Sequence, residues 1–197
     1  MIKRLFDFFC SIIGVIILSP VLLIIGILIK IGSRGPIFYR SIRIGKNKKP
    51  FKLYKFRTLV INADKIGGHS TSDDDLRMTK MGKFLRKYKL DELPQLLNVI
   101  KGEMSLVGPR PEVPEYAELY KNEELIVFKV KPGITDLASL WNSDEGAILK
   151  GSSDPEKTYL EKIRPEKVRL QIKYVKEKSF IRDLKIILKT LEKIRKP

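Results

Sequence analysis

Four short segments carry the residues able to do chemistry. In Leu90-Asp91-Glu92-Leu93-Pro94, two carboxylates are adjacent. An ionised carboxylate can attack phosphorus or hold Mg²⁺. The same residues also suit a helix start, with Asp as N-cap, Glu in the first turn and Pro tolerated there. If a helix begins here, its dipole and nearby cations keep Asp91 ionised. In Gly108-Pro109-Arg110-Pro111-Glu112, prolines on both sides restrict the backbone of Arg110. That makes either a rigid mount for a phosphate-binding guanidinium or a stiff surface turn. In Lys55-Phe56-Arg57-Thr58, two cations one residue apart on a strand face the same side and suit a pyrophosphate; a solvated strand face is the plainer alternative. Pro132-Gly133-Ile134-Thr135 reads by itself only as a turn. There is no Walker A loop and no dinucleotide glycine motif, so phosphate binding would rest on cations and Mg²⁺.

These segments need elements to position them. Residues 37–44 and 51–59 read as two strands joined by a turn at Gly45–Lys49. Residues 64–77 are a polar, glycine-containing loop, and its His69, the only histidine, reads as solvated rather than catalytic. A helix is expected over 79–89, with Met81, Phe84, Leu85 and Tyr88 on one face and Arg86 among the flanking cations. A second helix is expected from about 91 to 101, ended by Gly102. The stretch 165–195 reads as one long amphipathic helix with Val168, Ile172, Val175, Leu184, Ile187, Leu188, Leu191 and Ile194 on its apolar side. It suits either a lipid surface or a core helix with a solvated basic face.

Ahead of all this lies the longest apolar run. Phe8 to Ile29 contains no charged residue, as a membrane helix requires and soluble cores rarely do. A cleavable signal would need a small-residue site, and Ile29-Lys30-Ile31-Gly32 offers none. Ser19-Pro20 sits at the centre, where proline kinks or breaks a helix. Each arm is then roughly 15 Å long at about 1.5 Å per residue, half of a bilayer core of about 30 Å. Lys3 and Arg4 precede the run; Lys30, Arg34, Arg40 and Arg43 follow it. Basic flanks favour the cytoplasm. A re-entrant helix-break-helix keeps both flanks there, and the competing arrangement is a kinked spanning helix. The expected fold class is α+β, mainly helical. A membrane anchor over 1–34 precedes a small cytoplasmic domain over 35–197, with a short β-hairpin and interfacial amphipathic helices.

The charge agrees with a membrane surface. The chain carries a formal net charge of +16, and residues 1–60 hold twelve Lys or Arg against the single acid Asp7. The excess therefore sits around the apolar run, as on anionic lipid. Nucleic acid is the rival partner for a basic protein. No zinc-finger spacing, aromatic RNA-binding signature or basic heptad supports it. The single cysteine, Cys10, excludes an intrachain disulfide and fits a reducing compartment. Apolar content of 43 per cent is enough for a core.

Taken in order, the motifs have a precedent. The apolar run with Ser19-Pro20, Lys55-Phe56-Arg57-Thr58, Leu90 to Leu96, Asn98 to Glu112 and Pro132 to Thr135 together resemble the bacterial sugar transferases, specifically the small monotopic phosphoglycosyl transferases. The resemblance implies transfer of a sugar-1-phosphate from a UDP-sugar to polyprenyl (undecaprenyl) phosphate, with release of UMP. This would happen at the cytoplasmic face of the inner membrane. It implies Asp91 as the nucleophile that takes the phospho-sugar covalently, Glu92 as its assistant, and Mg²⁺ bridging Asp91 and the pyrophosphate. Arg110, Lys55, Arg57 and Arg86 would hold phosphate. Thr58, Pro109, Pro111, Glu112 and Thr135 would support the motifs, and Ser19 and Pro20 would form the helix break. The chain departs from the family after Thr135, where many members continue with Gly and a Gln-Val-Asn-Gly-Arg-like stretch. Here Asp136-Leu137-Ala138-Ser139-Leu140-Trp141 stands instead, so no sugar identity is carried over. Two other classes compete with a transferase: a non-catalytic membrane-surface module that binds anionic lipid or assembly partners, and a membrane phosphatase.

Overall fold

A computed structural model describes residues 2–63, 66, 70–142 and 144–194. His69 lies outside them. The architecture is mainly helical, with two small pairs of strands. The first element, α1, is a single helix of 31 residues, Ile2–Gly32, with Pro20 inside it. The expected division into two helices is therefore corrected. Proline removes the N–H that would reach the carbonyl four residues back, which is that of Ile16. The Ser19 hydroxyl donates to that carbonyl at 2.7 Å. The Ser-Pro pair thus repairs its own defect, which matters most where water is absent.

Both ends of α1 are tied to the same domain. Near its start, Arg4 donates to the carbonyls of Val99 at 2.6 Å and Ile100 at 2.9 Å. Lys3 pairs with Asp183 at 2.6 Å, and buried Asp7 accepts from the Ser105 hydroxyl at 2.7 Å. Near its end, Ile25 and Ile29 are buried with Phe56 and Leu85. Between these attachments Ile13, Ile16, Ile17, Leu23 and Ile24 are more than half exposed. That length of bare apolar surface is foreign to a helix in water.

The hairpin is present, as β1 (Phe38–Ile44) and β2 (Pro50–Phe56), antiparallel with Tyr39 opposite Lys55. Next comes α2, Lys80–Lys87, capped by Thr79, whose hydroxyl accepts from the Gly82 amide. It presses on the segment after β2, where a Cβ on Gly82 would overlap the Thr58 carbonyl. A 3-10 turn, Leu90–Glu92, leads to α3, Gln95–Lys101, which ends at Gly102 in the left-handed region (φ 84°) as expected.

The turn at Pro132 does more than reverse the chain. β3 (Ser105–Val107) and β4 (Gly133–Thr135) pair in parallel, with Ser105 opposite Gly133 and Val107 opposite Thr135. Gly108 and Gly133 touch backbone to backbone, so a Cβ on either would overlap the other strand. Glycine is required there because nothing else lets two main chains approach so closely. Four short helices follow, α4 (Pro114–Ala117), α5 (Leu137–Trp141), α6 (Glu145–Leu149) and α7 (Pro155–Thr158), and the terminal stretch is two helices rather than one: α8, Arg164–Glu177, and α9, Phe180–Ile194. α8 buries Val168, Tyr174 and Val175 in the core. α9 buries Ile186 but leaves Ile181, Leu188 and Leu191 exposed.

Candidate active site

Asp91 and Glu92 sit on the 3-10 turn, not on a helix. The N-cap of α3 is Pro94, and no side chain caps it. The helix expected from residue 91 thus begins four residues later, and neither carboxylate is used as a cap. The preceding residue, Lys89, takes a left-handed conformation (φ 55°), which turns the chain sharply into the site.

The two carboxylates meet different surroundings. Glu92 accepts from Lys55 Nζ at 2.7 Å and from Arg110 through both of its terminal nitrogens, one at 3.0 Å. Burial pushes the Glu92 carboxyl up, but Arg110 and Lys55 outweigh it and hold the group well below the ordinary glutamate value. Asp91 is only 5% exposed, and among the described residues its carboxylate accepts no hydrogen bond. Its nearest cation is Lys55, at 4.0 Å. Burial therefore raises the Asp91 carboxyl above its ordinary value, with Lys55 pulling it back and Glu92 pushing it further up. Burial also lowers the Lys55 ammonium, against the attraction of Glu92. One carboxylate is fully engaged and structural. Its neighbour is desolvated, poorly compensated and left available.

The cationic residues do not all gather. Lys55 and Arg110 converge on Glu92. Arg86 comes off α2, donates to the Thr58 hydroxyl at 3.2 Å, and lies within electrostatic reach of Asp91. Arg57 does not join them. β2 ends at Phe56, so strand alternation stops before it, and its guanidinium turns to the end of α1. There it donates to the carbonyls of Arg34 and of Ser33, the latter at 2.9 Å. Arg57 anchors the helix exit and lies apart from Lys55.

Arg110 is held by its own backbone. Its amide donates to Asp136 Oδ2 at 3.2 Å, and Asp136 is fully buried, also accepting from the Ser139 amide at 2.7 Å as N-cap of α5, Leu137–Trp141. Pro109 accepts from Gly133 at 3.0 Å, which fixes the other side. Pro111 accepts weakly from Arg43, which comes from β1. Glu112 turns away from Asp91. It pairs with buried Lys167 at 2.9 Å and accepts from Tyr120 at 3.2 Å. The Thr135 hydroxyl meets that of Thr190 on α9 at 2.8 Å. Sequence reasoning missed Asp136, Arg43 and Lys167 as parts of this assembly. Asp136 carried a usable signal, an Asp three residues before Ser139 at the head of an apolar turn.

Among the described residues, no three His, Cys, Asp or Glu side chains converge as a ready-made metal cage. Within this site, among the described residues, Asp91 offers a carboxylate without competing N–H donors. That donor set fits Mg²⁺, which binds through one or two carboxylates with substrate phosphates and water completing its shell.

Comparison with known proteins identifies the family. The profile of the family described as bacterial sugar transferase matches residues 1–197. A UDP-glucose:undecaprenyl-phosphate glucose-1-phosphate transferase of Klebsiella pneumoniae is 39% identical over 97% of this chain and 39% of its own length. A UDP-N-acetylgalactosamine-undecaprenyl-phosphate N-acetylgalactosaminephosphotransferase of Aeromonas hydrophila is 34% identical over 98% of this chain and 43% of its own. The sugar transferase EpsL of Bacillus subtilis is 40% identical over 98% of this chain and 87% of its own. The chain thus spans about two fifths of the first two relatives and most of the third. With a family match from end to end and such relatives, this chain belongs to the bacterial sugar transferases.

Proposed function

We propose that the chain is a phosphoglycosyl transferase that moves a sugar-1-phosphate from a UDP-sugar to polyprenyl (undecaprenyl) phosphate and releases UMP, starting membrane-bound glycan assembly. The observation that carries the reading is the contrast at residues 91 and 92. A buried carboxylate that accepts no hydrogen bond among the described residues stands beside one locked by Lys55 and Arg110.

In the first step an Asp91 carboxylate oxygen attacks the sugar-bearing phosphorus. The anhydride bond to the other phosphorus breaks, and UMP leaves with the bridging oxygen and its electron pair. Asp91 is then a mixed anhydride with the phospho-sugar. In the second step an oxygen of polyprenyl phosphate attacks the same phosphorus, and the Asp91 carboxylate leaves. The covalent stage lets a water-soluble donor and a lipid acceptor use one centre in turn. Burial strips water from Asp91 and makes it a better nucleophile, while Lys55, Arg86 and Arg110 offset the repulsion of an anionic donor. Glu92 positions Lys55 and Arg110. Mg²⁺, held by Asp91 and substrate oxygens, would supply further neutralisation of the leaving phosphate.

The anchor reading follows from α1. A domain in water cannot hold both ends of a helix that crosses a bilayer, yet Arg4 and Ile29 both join this domain. A re-entrant path, bent near Pro20 with its bare middle in lipid, satisfies both ends. It puts the domain on the cytoplasmic face of the inner membrane, where the basic flanks belong. The transfer reading is tested with membranes holding the full chain, Mg²⁺, polyprenyl phosphate and a panel of UDP-sugars. UMP release that disappears in Asp91→Asn is expected. Release of inorganic phosphate, or near-normal turnover in Asp91→Asn, would sink the assignment.

A further inference from the structure

A second charged concavity lies away from Asp91. It is a cavity of about 510 Å³ at the first turn of α1, within the range of roughly 300–1,000 Å³ usual for ligand pockets. Six cations line it: Lys3, Arg4, Lys46, Lys129, Lys131 and Lys178. Among the described residues the acids are only Asp7 and Asp183, leaving four net positive charges. None of these residues belongs to the Asp91 group.

The two acids are already committed. Asp7 accepts from Ser105 and from the Leu106 amide; Asp183 accepts from Lys3 and Tyr174. Lys46, Lys129, Lys131 and Lys178 make no ion pair among the described residues. Lys131 feels the repulsion: burial, then Arg4, hold its ammonium below the ordinary value. Like charges turned into one concavity are costly unless an anion joins them. The mouth adjoins apolar surface. Phe6 of α1 stacks edge-on with Phe180 of α9 at 5.2 Å, and Leu5, Phe9 and Ile181 beside them are exposed. A basic cup beside an apolar rim, at the start of a membrane helix, fits a phosphate group that brings acyl chains with it.

We infer that this cavity binds the phosphate of an anionic lipid headgroup, as a site separate from the centre at Asp91. The inference rests on α1 lying in lipid, but not on the transfer reaction. Such a contact would hold the domain at a fixed height and tilt over the bilayer.

The test titrates the full chain in neutral detergent with short-chain phosphatidylglycerol, read by native mass spectrometry. Parallel titrations use short-chain phosphatidylcholine and inorganic phosphate. In the variant Lys129→Gln/Lys131→Gln/Lys178→Gln, phosphatidylglycerol should bind about a hundredfold more weakly, at about a tenfold or less per lost lysine. Removing the same charge elsewhere, in Lys173→Gln/Lys185→Gln/Lys189→Gln, should change it by less than about threefold. Equal losses in the two variants would overturn the site in favour of diffuse surface charge. Equal binding of inorganic phosphate would overturn the lipid as the source of the phosphate. Binding of phosphatidylcholine as tight as phosphatidylglycerol would remove the role of charge. Asp91→Asn should leave the phosphatidylglycerol titration unchanged, so that failure of the transfer reading and failure of this one are told apart. Extraction of the chain from membranes by alkaline carbonate would overturn the lipid setting itself.

Discussion

Arg110 and Glu112 are two residues apart, and each enters a buried cluster of lysine and carboxylate. The clusters are finished differently. In the Glu112 cluster, Lys167 reaches Glu112 and the Tyr159 hydroxyl at 2.9 Å each, and Tyr120 bridges to Gln171 at 3.0 Å. Burial pulls the Lys167 ammonium down, but Glu112 leads the groups that hold it well above its ordinary value. Every charge there has a partner. In the Arg110 cluster Glu92 is equally well held, yet Asp91 is brought into the same dry space with almost nothing to satisfy it. A completed buried network supports a fold; an incomplete one is a cost that persists where chemistry uses it.

The largest expected break in this comparison is Asp91→Asn. UMP release should fall by about 10⁴-fold or more. Stability should not fall with it. Because burial raises the Asp91 value on folding, this group stabilises the fold only at low pH, and that contribution is lost as pH rises through the raised value. Near neutral pH, Asn should therefore match or exceed the wild type in thermal unfolding. Glu112→Gln should do the reverse, costing about 3 kcal/mol in denaturant unfolding by stranding Lys167, while turnover stays within about tenfold. Turnover abolished with stability intact would make the Glu112 cluster catalytic and dissolve the comparison. Arg110→Lys keeps a charge but loses the two-pronged grip, and should slow turnover about a hundredfold at saturating donor. The smallest effect is a direction. Lys55→Met removes the cation that lowers Asp91, so the acid limb of the pH profile of UMP release should move to higher pH. A limb that stays put would show that another group sets it.

Much of this was legible because it was local. The hairpin, α2 and the glycine stop of α3 are each decided within a few residues. The misjudged features were decided by distant ones. Arg57 turned away because β2 ended three residues sooner than its sequence suggested, and the carbonyls at the end of α1 were waiting for a donor. Asp91 looked like a cap because Asp, Glu and Pro suit one, but the helix began at Gln95. The parallel pairing of β3 with β4 joins three-residue strands 25 residues apart, too short to show a period of two. The Pro-Gly-Ile-Thr segment accordingly read as a mere turn. The break between α8 and α9 falls at Lys178-Ser179, inside an unbroken amphipathic pattern. The apolar run and the Asp-Glu pair were visible in the sequence; where the fold places them was not.

The bonds from Arg4 to Val99 and Ile100 bear on how the molecule is made. Those carbonyls close the last turn of α3, the helix that follows Asp91, and helix ends left bare are unstable. During synthesis residues 2–32 leave the ribosome well before residues 91–101. The segment that the proposed reading sets in lipid is therefore made before α3, and it supplies the donor that completes the last turn of that helix. On the reading proposed above, the order of the helix that follows Asp91 is thereby coupled to the segment that meets the bilayer.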